Sequence, residues 1–206
     1  MRLGILGGTF DPIHRGHLLI ARAAQERASL DRVLFIPAGS PWMKADQAVT
    51  AGPHRKAMVD LAVVSDPAFS STGLELHRSG ESCSVNTLEQ LAKEKGPRVD
   101  LYFIIGTDAL ANFPQWRCPK RILALCRLIV VERPGFPKYD AVILKPFLAS
   151  STDRVIVIKE PMSDISARDI RRRVIEGRSI RGRVPELVEE YIRENNLYKG
   201  DGYVRK

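Results

Sequence analysis

Cysteine is nearly absent from this chain. Cys83, Cys118 and Cys126 are its three cysteines, an odd number with no Cys-x-x-Cys among them. That spacing speaks against a disulfide framework and fits free thiols in a reducing compartment. Long apolar runs are missing as well: none approaches the roughly 20 residues that a membrane helix needs. No leader pattern precedes the first apolar segment, so the expectation is a cytoplasmic protein with no membrane partner. No internal repeat, low-complexity segment or linker breaks the chain, which sets repeat architectures aside. Acidic residues are outnumbered, 24 against 32 basic ones, for a formal net charge of +8. The basic residues are spread out; only Arg168, Arg171–Arg173, Arg178, Arg181 and Arg183 cluster. That cluster lacks the interleaved aromatics of a nucleic-acid binder and reads as a solvated helix face. The excess favours anionic small molecules instead.

At 206 residues, 44% hydrophobic and 27% charged, the chain suits one globular domain over 1–198. A helical C-terminal part from about 163 to 198 and a frayed tail at 199–206 complete the expected organisation. Short apolar runs alternate with helical patterns. Strands are expected at Leu3–Leu6, Val33–Pro37, Phe69–Leu76, Asp100–Ile105, Leu128–Glu132 and Arg154–Ile158. Helices are expected from about Gly16 to Ala28, from a Thr50 cap to Val64, from a Ser84 cap to Lys95, over Pro119–Leu125, from a Ser166 cap to Gly177, and from Pro185 to about Asn195. The buried face of the second is assigned to Met58, Leu61, Ala62 and Val64. Residues 136–153 have little pattern. The fold class is α/β, a Rossmann-like doubly wound parallel sheet with a small helical C-terminal region.

The stretch Gly7–Leu18, GGTFDPIHRGHL, joins the first strand to the first helix. Gly7 and Gly8 let backbone approach a ligand without a Cβ in the way. The helix opening near Gly16 offers unpaired N–H groups and the positive end of its dipole, a place for phosphate. His14 and His17, three residues apart, can aim both rings at one anion. A zinc site, an ordinary tight turn and nucleotide binding without chemistry stay open, although no Cys or carboxylate stands at ligand spacing nearby.

This stretch resembles the HxGH nucleotidyltransferases, and within them the nicotinate mononucleotide adenylyltransferases. Three further blocks agree in order: GTDALANFPQW from Gly106, ISARDIR from Ile165, and the ending from Val184 to Tyr198. The resemblance implies that ATP is held by Gly7, Gly8, Thr9, Phe10, Gly16, Gly106, Asp108 and Ser166, with Asp108 on a ribose. It implies His14, His17, Lys44 and Arg171 as the catalytic groups on the phosphates, His17 nearest the reacting centre. It implies a mononucleotide site at Ser82, Cys83, Ser84 and Thr87, with Trp116 stacking on the pyridine ring. Cys83 and Asn86 replace the family's tyrosine and aspartate, and Ala167 and Arg168 its second serine and threonine. The implied reaction is adenylyl transfer from ATP to nicotinate mononucleotide in NAD biosynthesis. Magnesium is expected on the triphosphate, with no dedicated protein cage for it. Nicotinamide mononucleotide or phosphopantetheine as acceptor, and a non-catalytic nucleotide-binding module, are the alternatives. A homo-oligomer is left open.

Overall fold

The computed structural model describes residues 1–39, 49–78, 80, 82–132, 134–148, 154–159 and 163–199. Its strands are β1 (Arg2–Gly8), β2 (Arg32–Pro37), β3 (Phe69–Ser71), β4 (Asp100–Gly106), β5 (Arg127–Val131) and β6 (Val155–Ile158). Its α-helices are α1 (Arg15–Arg27), α2 (Gly52–Val63), α3 (Ser84–Lys95), α4 (Thr107–Ala111), α5 (Pro119–Leu125), α6 (Ala167–Ile175) and α7 (Glu186–Glu194).

One six-stranded sheet has the order β3-β2-β1-β4-β5-β6. The β1–β4 ladder is parallel, running from Arg2 opposite Asp100 to Leu6 opposite Ile104. The β4–β5 and β5–β6 ladders are parallel too. This is the doubly wound Rossmann-like arrangement, and the strand order reverses between β1 and β4. Ile5, Ile104, Leu128 and Ile129 are at most 1% exposed. Such strands are covered on both faces, which is why they read as unbroken apolar runs. Each such side chain contributes about 1.5–3 kcal/mol by leaving water. No described helix is long and apolar enough to cross a membrane.

The chain divides into two compact units. One holds Met1–Gly7, Leu19–Leu34 and Cys83–Asp164; the other holds Gly8–Leu18, Phe35–Ser82 and Ile165–Lys206. Within the first, α3 packs on α5, and α4 lies on β4 and β5. Within the second, α2 packs on both β3 and α7.

Several local expectations are corrected. Thr50 does not cap α2: Ala51 is the cap residue and makes no side-chain bond, while the Thr50 amide is engaged by Asp11. The buried face of α2 is Arg55, Met58, Val59, Ala62 and Val63. Val64 is 70% exposed, and Leu61 is only half-buried. The third strand stops at Ser71, because a turn with Leu76 N–H on the Gly73 carbonyl replaces its second half. Ser84 is the first residue of α3 rather than its cap, and Pro185 precedes α7 as its cap. The short helix α4 is additional, and Ala141–Ile143 forms a 3-10 turn. Ser166 caps α6, accepting from the Asp169 amide at 3.2 Å. Gly96 closes α3 at φ 72°, a conformation that favours glycine.

Candidate functional site

The loop from Gly8 to His14 joins β1 to α1. Phe10 has φ 48°, unusual for an aromatic residue, and its ring is 2% exposed. It meets His17 edge-on at 5.0 Å and Phe35 at 6.0 Å. The core thus holds the loop by Phe10. His14 is 3% exposed and stacks on His17, ring centroids 3.7 Å apart.

The backbone N–H of His14 donates to Nδ1 of His17 at 3.2 Å. An accepting Nδ1 leaves the proton of a neutral imidazole on Nε2. Nε2 is then the donor nitrogen of the His17 ring. Two amides of the first turn of α1 are already engaged, Arg15 on the Arg183 carbonyl and His17 on the His14 carbonyl, both at 2.9 Å. Fewer amides remain for an anion here than the sequence suggests.

Arg171, on α6, reaches the same loop. Its Nη1 donates to the Asp11 carbonyl at 2.6 Å, while its buried Nε has no hydrogen-bond partner among the described residues. Ser166 stands five residues earlier, at the start of α6, with its oxygen engaged as cap. Ala167 is half-buried and Arg168 exposed. Asp169 gathers Arg172, Arg173 and Arg183 at 2.5, 3.0 and 3.3 Å. Much of the arginine cluster is thereby spent on one carboxylate, and the Arg173 hydrogen bond holds that carboxyl below its usual range. Lys44 lies outside the described residues.

Two residues missed from the sequence underpin this loop. The Arg55 guanidinium, 2% exposed, donates among the described residues to main-chain carbonyls: Thr50 at 2.7 Å, Thr9 at 2.9 Å, Ala38 at 2.7 Å and Gly39 at 3.3 Å. Burial lowers its pKa, opposed by the nearby Asp11 charge. Its signal was present: Arg55, Met58, Val59 and Ala62 form one i, i+3, i+4, i+7 stripe, with an arginine in an apolar place. The second is Tyr198, whose hydroxyl donates to Asp11 Oδ1 at 2.9 Å. Ser82 accepts from the Gly39 amide at 2.8 Å. A side chain at Gly39 would collide with the Glu75 carbonyl, which requires glycine there.

In the other unit, Cys83 caps α3 without a side-chain bond, and its carbonyl takes the Asn86 and Thr87 amides at 3.1 and 3.4 Å. Thr87 is 4% exposed; Cys83 and Ser84 are half-buried. Gly106 ends β4 and caps α4, putting Asp108 in the first turn of that helix. Trp116 follows the short turn Phe113–Gln115. Its ring lies 6.0 Å from Phe103 and 5.4 Å from Phe113, neither parallel to it. Its buried Nε1 has no hydrogen-bond partner among the described residues. Among the described residues, no three His, Cys, Asp or Glu side chains are placed to hold a metal.

Residues 5–173 match the family model described as cytidylyltransferase-like. A Thermomicrobium roseum protein named "probable nicotinate-nucleotide adenylyltransferase" is 43% identical over 198 residues, 96% of this chain and 92% of its own. A Roseiflexus protein of the same name is 44% identical over 197 residues, 96% and 98% of the two chains. Among solved structures, a Plasmodium falciparum nicotinic acid mononucleotide adenylyltransferase complexed with NaAD superposes with a TM-score of 0.78. It covers 96% of this chain and 97% of its own at 22% identity, a likeness of fold.

Proposed function

The chain belongs to the cytidylyltransferase-like family, and within it to the nicotinate-nucleotide adenylyltransferases, and on that premise we propose that it transfers the adenylyl group of ATP to nicotinate mononucleotide. A phosphate oxygen of the mononucleotide forms a bond to the α-phosphorus of ATP. The bond from that phosphorus to the β-phosphate bridging oxygen breaks. The products are deamido-NAD and pyrophosphate. The attacking phosphate has a second pKa near 6 and is already largely ionised at neutral pH. No general base is needed, and catalysis consists of positioning and charge stabilisation.

The observation that carries this reading is the His14 amide on His17 Nδ1. It turns His17 into a pre-set Nε2–H donor on the loop that the Arg171 guanidinium also reaches. Donors of this kind suit phosphate oxygens and not a bare cation. Magnesium therefore enters with ATP as part of the substrate and neutralises triphosphate charge. In the proposal Gly7, Gly8, Thr9, Phe10, Gly16 and Ser166 line the ATP phosphates, and Gly106 and Asp108 serve the nucleoside. Lys44 is a further phosphate contact. Cys83, Ser84 and Thr87 at the start of α3 receive the nicotinate carboxylate through backbone groups, with Ser82 beside them and Trp116 against the ring.

An uncapped helix start favours an acceptor of negative charge. A carboxamide there would turn its NH₂ toward donors and leave groups unpaired, at about 1–3 kcal/mol each. Pyrophosphate release measured with nicotinate mononucleotide, nicotinamide mononucleotide and phosphopantetheine tests the reading. We expect the highest kcat/KM for the acid. Equal values for acid and amide, preference for phosphopantetheine, or ATP binding without release would each overturn it.

A further inference from the structure

Tyr198 is near the end of the described chain, yet it is 1% exposed and has φ 62°. A bulky residue keeps such a backbone only where tertiary contacts dictate it. One contact that holds it is 187 residues away in sequence: the hydroxyl donates to Asp11 Oδ1 at 2.9 Å, and it also meets the Thr50 side chain. Asp11 is itself 3% exposed and sits one residue after Phe10, which also has positive φ, 48°. Its second carboxylate oxygen accepts the Thr50 amide at 3.2 Å, and its carbonyl accepts Arg171 Nη1 at 2.6 Å. Asp11 is thus the point where the chain end, the entry to α2 and the arginine of α6 meet the loop bearing His14 and His17. Burial and the Asp11 charge raise the phenol's pKa, so it remains a donor throughout the working pH range.

We propose that Tyr198 is a positioning residue for the transfer reaction: through the Asp11 carboxylate it fixes the loop that carries His14 and His17 and the carbonyl on which Arg171 is seated. Nothing in this role requires Tyr198 to touch substrate. Without the hydroxyl, the hydrogen bond left on the Asp11 side chain among the described residues is that of the Thr50 amide, and the carboxylate is held less firmly. With its side chain no longer tied to Tyr198, the Asp11 backbone is less restrained, and so is the carbonyl that seats the Arg171 guanidinium. The proposal rests on the adenylyl-transfer reading only for its kinetic part; the loop-fixing part stands on the free protein.

The test is Tyr198→Phe, which removes one oxygen and leaves the buried ring. In the full chain without substrate, amide hydrogen exchange over Thr9–His17 should accelerate about tenfold, the scale of one hydrogen bond to a charged group. Exchange over α3 and β4 should be unchanged. The same variant should lose about tenfold in kcat, with the KM for nicotinate mononucleotide held within about twofold. In a double-mutant cycle, adding Asp11→Asn should cost little beyond either single change. Tyr191→Phe, whose hydroxyl meets His54 Nδ1 at 2.9 Å, is the control and should change neither readout. Unchanged exchange over Thr9–His17, or full additivity with Asp11→Asn, would overturn the proposal, even if the melting temperature falls. Should the wild type release no pyrophosphate while exchange in the variant still accelerates, loop fixing stands and the adenylyl-transfer reading fails.

Discussion

Arg55 gives the sharpest test of what holds the phosphate-directed loop. Consider Arg55→Met, which keeps an unbranched apolar stem and removes the guanidinium. Four carbonyls lose a donor: those of Thr9, Ala38, Gly39 and Thr50. A carbonyl left dry costs about 1–3 kcal/mol, but one that water can reach costs far less. Thr9, Ala38 and Gly39 are half-buried and can rehydrate; Thr50 is 5% exposed and cannot do so without local opening. Asp11, whose negative charge opposes the burial effect on Arg55, also loses that nearby cation. Against these losses stands relief from burying a cation that makes no direct ion pair among the described residues. The balance is a loss of about 3 kcal/mol, a large part of a typical 5–15 kcal/mol of total stability. Urea unfolding should show a lower midpoint at unchanged m-value. Arg55→Lys retains the charge but offers three donors from one point, which cannot span carbonyls on separate segments, so it should recover no more than about half of the loss. A loss below about 1 kcal/mol for Arg55→Met would refute the reasoning, since the four bonds would then be worth no more than their hydration.

Two predictions concern the reaction. His17→Ala should lower kcat by roughly 10²-fold or more, the scale for one preorganised donor, with folding little changed because the ring is half-buried; near-normal turnover in the folded variant would remove His17 from the reacting centre. Trp116→Ala should raise the KM for the mononucleotide far more than that for ATP, by a factor on the order of 10–100 if ring stacking follows the 1–3 kcal/mol of base–aromatic contacts; equal effects on both substrates would assign Trp116 to packing on Phe103 and Phe113.

How much of this was legible depended on the distance over which each feature is decided. The strands β1, β4 and β5 could be read because burial on both faces leaves an uninterrupted apolar run, a purely local signature. The Ser166 cap was equally local, its partner being Asp169, three residues away. The Thr50 cap failed for the opposite reason. Its residue type suits a cap, but Asp11 draws its amide 39 residues away and the helix starts later. The second half of the expected β3 failed because Gly73 permits a turn that closes on Leu76. The helix α4, from Thr107 to Ala111, is too short for periodicity to register.

The same division runs through the candidate site. The groups that would meet phosphate form short motifs, because a donor array around one anion must come from adjacent residues: His14 and His17 are three apart, and one orients the other through a single backbone amide. The groups that hold this array lie far from it in the sequence. Arg55 is 46 residues from Thr9, Arg171 is 160 from Asp11, and Tyr198 is 187 from it. Arg171 was marked as a phosphate-directed group by the ISARDIR block and Tyr198 closes the block from Val184, but neither block tells what its side chain touches, and Arg55 looked like an ordinary arginine on a helix. The trace that Arg55 left is physical, a charge on an apolar stripe whose desolvation has to be balanced elsewhere. Preorganisation explains the asymmetry. Catalysis by placed donors needs their geometry fixed before substrate arrives. A loop with two aromatic contacts from Phe10 and several engaged amides does not fix itself, so rigidity is supplied by remote side chains bonded to its backbone. Substitutions at such positions should therefore act on turnover and on loop exchange together, whereas substitutions at the donors should act on turnover alone.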